Sequence, residues 1–143
     1  MSPPGRGVAA QGRFPYEIGV ARILIIDDDG DIREVVGEAL EFAGYEVARA
    51  RDGREGLARC RSFRPTLILL DLMMPGMSGW EFRAAQLEDP ELADIPVVVV
   101  TALGHDPDLQ VSAVLAKPFR LDDLLANVRR FAGEITAPAG LQH

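Results

Sequence analysis

Five polar residues stand directly at the carboxyl ends of short aliphatic runs. Asp27 and Asp28 follow Ile23 to Ile26, Asp71 follows Leu67 to Leu70, Thr101 follows Val97 to Val100, and Lys117 follows Ala113 to Ala116. Three carboxylates gathered without a counter-charge repel one another and drive at least one pKa upward, so a hard divalent cation is their natural occupant. Mg²⁺ suits such a site because it takes oxygen ligands in octahedral geometry and keeps several waters; Mn²⁺ is the alternative. A lysine close by offers a compact positive charge to phosphoryl oxygens. Lys117 is the only lysine in a chain that holds 15 lysines and arginines, so a composition biased to arginine keeps a lysine at this one position.

Taken singly, each residue has a plain structural explanation. An Asp at a strand end is often an Asx turn or a helix cap. Asp29 and Asp31 are assigned to that reading, one solvated and one capping the following helix. Thr101 could simply end a strand, and Lys117 before Pro118 could be a solvated turn residue. The set is harder to dismiss, because ligands bind along the carboxyl edge of an open doubly wound sheet. Trp80 and Phe82 are read as core, Cys60 as a small buried hydrophobe, and His105 as lacking a metal-ligand partner at useful spacing.

The elements that must position these residues alternate. The aliphatic runs Ile23 to Ile26, Val47 to Ala50, Leu67 to Leu70, Val97 to Val100 and Ala113 to Ala116 read as five buried strands. Between the first two, Ile32, Val35, Val36, Ala39, Leu40 and Ala43 recur at helical period, opened by Asp31 with Glu34 three residues on and closed by Gly44. Further helices are expected over Gly53 to Phe63, Trp80 to Leu87 and Leu121 to Phe131, the last with Leu121, Leu124, Leu125 and Val128 inward. Strand and helix in alternation imply an α/β, doubly wound parallel sheet covered on both faces. Residues 1–20, rich in Pro and Gly, are expected to be a flexible extension, residues 21–132 the folded domain, and residues 133–143 a short tail.

The formal charge of −7 argues against a generic nucleic-acid or anionic-membrane surface, since both need a basic face. A single cysteine, no signal-like apolar stretch at the start and no run long enough to span a bilayer fit a cytoplasmic setting.

The segments Ile23-Leu24-Ile25-Ile26-Asp27-Asp28-Asp29, Leu67 to Gly79 (with Asp71-Leu72-Met73-Met74-Pro75-Gly76), Val97 to Ala102 and Lys117-Pro118-Phe119 resemble the signature segments of two-component response-regulator receivers of the chemotaxis-regulator type, over about residues 21 to 132. The resemblance implies a five-stranded flavodoxin-like sheet of order 2-1-3-4-5. It implies Asp71 as phosphoacceptor, with Thr101 and Lys117 assisting, and Mg²⁺ held by Asp27, Asp28, Asp71 and the backbone carbonyl of Met73. The Lys117-Pro118 peptide is then expected to be cis. The phosphodonor would be a sensor histidine kinase or a histidine phosphotransfer protein, in a phosphorelay. The chain would act as a stand-alone regulator, without direct nucleic-acid or membrane contact and with homodimer formation left open. It would not be a turnover enzyme, catalysing only its own phosphorylation and dephosphorylation.

Two departures stand out. The aromatic residue that such receivers place three positions before the lysine is Val114 here, and only Leu103 to Ser112, broken by Gly104 and Pro107, are available for the helix between the fourth and fifth strands, enough for one or two turns. An altered readout of phosphorylation is therefore expected, with partner docking through another face such as that of the first helix. A degenerate receiver that serves only as an interaction module is the alternative. A hydrolytic phosphatase of the haloacid-dehalogenase type is disfavoured, because the carboxylate it needs two residues after the nucleophile is replaced by Met73.

Overall fold

The computed structural model describes residues 21–104 and 106–132. The expectations for residues 1–20, residues 133–143 and His105 lie outside those residues.

Five strands form one parallel sheet: β1 (Arg22–Ile26), β2 (Glu46–Ala50), β3 (Leu67–Leu70), β4 (Val97–Thr101) and β5 (Ala113–Ala116). Their spatial order is β2-β1-β3-β4-β5, as expected, with Ile26 level with Leu70 and Thr101 level with Ala116. Four helices connect them: α1 (Gly30–Phe42), α2 (Gly53–Phe63), α3 (Gly79–Glu88) and α4 (Leu121–Ala132). On one face of the sheet, Leu24, Ile26, Ile68, Leu70, Val97 and Val99 pack with Cys60 of α2 and Phe82 of α3. On the other, Ile25, Leu69 and Val100 meet Val36 of α1 and Leu124 of α4. The three central strands are therefore buried on both faces, which is why they read as unbroken aliphatic runs rather than alternating ones. Each such side chain contributes about 1.5–3 kcal/mol of burial.

The first helix departs from expectation at its start. Asp29, expected to be solvated, is the N-cap: its carboxylate accepts from the amides of Asp31 and Ile32, and Asp31 sits in the first turn. Asp29 wins the position because its amide is already turned by the Asp27 side chain, whose Oδ1 accepts from Asp29 N at 2.9 Å. Val35 and Ala43, expected inward, are exposed, and the buried stripe runs through Val36, Gly37 and Leu40. The Arg49 side chain of β2, paired with Glu41, lies directly across Gly37. Gly44, at φ 103°, ends the helix as expected. In α4, Leu124 and Val128 are buried, whereas Leu121 is exposed and Leu125 only half-buried.

Between β4 and β5 the described residues contain a turn, closed by Leu109 N donating to Asp106 O, and no helix. Leu109 and Val111 pack into the core from this extended segment. Side chains of α3 hold it in place. Trp80 Nε1 donates to Asp106 Oδ2 at 2.9 Å, and Arg83 Nη2 and Nε donate to Gln110 O at 2.7 and 3.1 Å. Arg83 Nη1 also donates to Gln86, whose buried amide donates in turn to Leu92 O and Ile95 O. With no helix over it, Val114 of β5 stays 40% exposed although its partner Val99 is fully buried.

Candidate functional site

The topology delivers the five polar residues to one rim. Asp27 and Asp28 leave β1, Asp71 leaves the adjacent β3, and Thr101 ends β4 beside it; Lys117 follows β5 at the sheet edge. Because the strands are parallel, every carboxyl end points the same way, and the connecting loops need only be short.

The structure gathers four of the five into one cluster. One carboxylate oxygen from each of Asp27, Asp28 and Asp71 lies within 4.8 Å of the others. Asp27 and Asp71 are buried and Asp28 is exposed, so the cluster has a closed floor and an open mouth. Lys117 Nζ donates to Asp27 Oδ2 at 2.7 Å and stands 3.6 Å from Asp71 Oδ2. The Lys117-Pro118 peptide is cis, and Lys117 N donates to Thr101 O at 2.8 Å, tying the lysine's backbone to the end of β4. Burial raises the Asp71 carboxyl above its ordinary range; the neighbouring Asp27 charge raises it further, while Lys117 and the amides of Met73 and Leu72 act in the opposite direction. Burial lowers the Lys117 ammonium, but its hydrogen bond and charge contacts with Asp27 and Asp71 outweigh that, and its pKa is raised.

Thr101 is fully buried beside this group. Its hydroxyl oxygen accepts from Leu103 N at 3.2 Å, and among the described residues it makes no hydrogen bond to the three carboxylates or to Lys117 Nζ. Met73, two residues beyond Asp71, turns its side chain outward and donates its amide to Asp71 Oδ1 at 3.4 Å. The loop from Asp71 to α3 is packed tightly: Gly79 N donates to Leu72 O at 2.9 Å, and Ser78 and Glu81 form a reciprocal capping box at the start of α3.

Sequence reasoning missed two features of this rim. Arg33 of α1 donates from Nη1 to the Asp27 carbonyl oxygen at 2.7 Å. Trp80, expected to be core, does pack against the core but also donates its indole N–H to Asp106. Neither could be read from spacing. An arginine in a first helical turn is ordinarily solvated, and the Trp80 to Asp106 contact joins elements 26 residues apart.

A cluster of two buried carboxylates and one exposed carboxylate, with one ammonium as counter-charge, has excess negative charge. That donor set, all oxygen and open on one side, fits a hard divalent ion that retains water. Next to the cluster, a groove of about 300 Å³ is lined by Asp31, Ile32, Val35, Val36, Phe119 and Leu121.

Comparison with known proteins agrees with this geometry. The family model described as "Response regulator receiver domain" matches residues 23–129. The chain is 44% identical over 114 residues to the "DNA-binding dual master transcriptional regulator RpaA" of Synechocystis sp., covering 76% of this chain and 47% of that protein. It is 39% identical to the "Phosphate regulon transcriptional regulatory protein PhoB" of Pseudomonas aeruginosa, over 75% of this chain and 49% of that one. The chain thus spans about half the length of these curated relatives. Among solved structures, Vibrio cholerae chemotaxis protein CheY4 superposes with a TM-score of 0.73 at 34% identity, covering 78% of this chain and 98% of that one. TrrA of Thermotoga maritima, "in complex with Mg(2+)-BeF", gives a TM-score of 0.71 at 33% identity, covering 78% and 99%. No helix among the described residues is long and apolar enough to cross a membrane. The parallel 2-1-3-4-5 sheet, the carboxylate cluster at its carboxyl edge and a family match over most of the chain identify this protein as a member of the response-regulator receiver family.

Proposed function

We propose that this receiver accepts a phosphoryl group on Asp71 from the phosphohistidine of a sensor histidine kinase or of a histidine phosphotransfer protein. The observation that carries the reading is the grouping of Asp27, Asp28 and Asp71 within 4.8 Å, with Lys117 set between two of them. In the transfer, a carboxylate oxygen of Asp71 forms a bond to phosphorus as the bond from phosphorus to the donor imidazole nitrogen breaks. The nitrogen keeps the electron pair, and the product is an acyl phosphate on Asp71.

Each residue has a proposed part in that step. Asp27, Asp28, Asp71 and the Met73 carbonyl would hold Mg²⁺, which supplies charge neutralisation for the phosphoryl oxygens when bound. Lys117, now paired with Asp27 and close to Asp71, is placed to move onto a phosphoryl oxygen as negative charge accumulates there. Thr101 would donate its hydroxyl to a phosphoryl oxygen while still accepting from the Leu103 amide, pulling on the first residues of the β4–β5 connection. Among the described residues that connection holds no helix, where one of one or two turns was expected, and Val114 stands where an aromatic is usual, which supports an altered readout on that side. The groove beside α1, apolar and open next to the site, supports docking of the phosphodonor there. The acidic character of the chain supports a receiver that does not itself contact nucleic acid. The DNA binding in a relative's name is said of that protein, of which the match covers 47%.

The test is labelling by acetyl phosphate or phosphoramidate with and without Mg²⁺. Label is expected on the native chain with Mg²⁺, and none on Asp71→Asn or in EDTA. Undiminished labelling of Asp71→Asn refutes the assignment. Absence of label on the native chain under every metal condition, with Mg²⁺ binding intact, favours the second reading, an interaction module without phosphorylation. That no helix joins β4 and β5 among the described residues is the observation on which that reading rests.

A further inference from the structure

Arg33 stands one turn into α1, beside a cluster of three carboxylates, yet its guanidinium forms no ion pair among the described residues. It donates instead to a neutral acceptor, the Asp27 carbonyl oxygen, at 2.7 Å. The side chain folds back over the helix start: a Cβ added at Gly30 would lie 3.5 Å from Arg33 Nη2, in ordinary contact. The acceptor it chooses belongs to the peptide that joins Asp27 to Asp28, two of the three residues of the acidic cluster. Two further bonds hold the same stretch, Asp27 N donating to Ala50 O at 3.1 Å and Asp29 N donating to Asp27 Oδ1 at 2.9 Å.

We infer that Arg33 is a positioning residue for the cation site: by holding the Asp27 carbonyl it sets the plane of the Asp27–Asp28 peptide, and so the directions in which both carboxylates leave the backbone. The inference rests on the metal-binding part of the function proposed above. Its physical content is a sign. As a bare positive charge near the cluster, Arg33 would oppose a divalent ion, and removing it would tighten binding. As a positioning group it must do the reverse, because groups that orient metal ligands typically change affinity by about 10–100-fold when removed.

The experiment is a Mg²⁺ titration of the full chain, followed by amide shifts of residues 27 to 29 and by calorimetry, for the native protein, Arg33→Lys and Arg33→Met, with thermal midpoints recorded alongside. Asp28→Asn serves as the control for where the ion binds. The expected affinity order is native, then Arg33→Lys, then Arg33→Met, with the last weaker by about tenfold or more at a nearly unchanged midpoint. Equal or tighter binding by Arg33→Met, or a Lys variant weaker than the Met variant, overturns the inference while leaving the metal site standing. A native chain that binds no Mg²⁺, or binds it undiminished in Asp28→Asn, overturns the proposed site and this inference together. Should Arg33→Met not fold, the comparison of Arg33→Lys with the native chain carries the test: binding as tight as native overturns the inference, and looser binding supports it.

Discussion

Gly79 offers a direct test of whether backbone packing sets the position of Asp71. A Cβ at this residue would fall 2.4 Å from the Asp71 carbonyl oxygen and 2.7 Å from Leu72 Cα, and both neighbours are backbone that cannot rotate away. Ordinary contact begins at 3.4 Å, so Gly79→Ala requires the start of α3 and the Asp71–Leu72 segment to separate by about 1 Å. Overpacking of this kind costs about 1–3 kcal/mol. Weakening of the 2.9 Å bond from Gly79 N to Leu72 O adds about 1 kcal/mol. The better helix propensity of Ala returns about 0.5–1 kcal/mol. The net destabilisation is then about 1–3 kcal/mol, a fall in the thermal midpoint of roughly 5–12 °C for a domain of this size. A displacement of about 1 Å at a reacting group lowers transfer on the order of 100-fold. The assay is the rate of labelling by acetyl phosphate at a temperature where the variant is folded, with Gly104→Ala as control, since nothing lies within 4 Å of a Cβ there. A Gly79→Ala protein within about 0.5 kcal/mol of native stability, labelled at the native rate, refutes the view that this close approach positions the acceptor.

Three further outcomes are expected. The Asp71 carboxyl is raised above its ordinary value, so the native state keeps a proton at pH values where the unfolded chain has lost it, and stability falls as pH rises through that window. In metal-free buffer Asp71→Asn should therefore melt higher than native at pH 7, with the gain vanishing below the ordinary carboxyl value; a lower midpoint at pH 7 contradicts this. The Cys60 thiol, fully buried and pushed up to about 12, should resist maleimide at pH 8 until the chain is unfolded, and rapid modification of the native protein would show the α2 core to be open. Finally, the Met73 and Leu103 side chains, exposed beside the phosphoacceptor loop and the end of β4, carry no group that can orient a hydrolytic water. The acyl phosphate should accordingly outlast a time scale of seconds without a phosphatase, and loss of label within seconds would exclude that account.

Much of this protein was legible in one dimension. The aliphatic runs at β1, β3 and β4 are unbroken because those strands are covered on both faces, and with helices alternating between the strands they imply a parallel sheet whose polar residues share one edge. Asp27, Asp28, Asp71 and Lys117 could be paired in advance for that reason, and they meet as read. Periodicity was a poorer guide wherever two side chains compete for one place. Val35 satisfies the helical pattern as well as Val36 does, yet Val35 is exposed and Val36 buried, and no local signal separates the two. In sequence Asp31, with Glu34 three residues on, reads as the cap, but Asp29 takes the position, its amide held by the Asp27 side chain. The β4–β5 connection was readable as too broken for a full helix, but the indole and guanidinium of α3 that secure it come from 26 and 27 residues away. Residue types along the chain thus determined which groups gather at the rim. How firmly each is held was decided by long-range contacts, whose energies depend on neighbours that only the folded chain supplies.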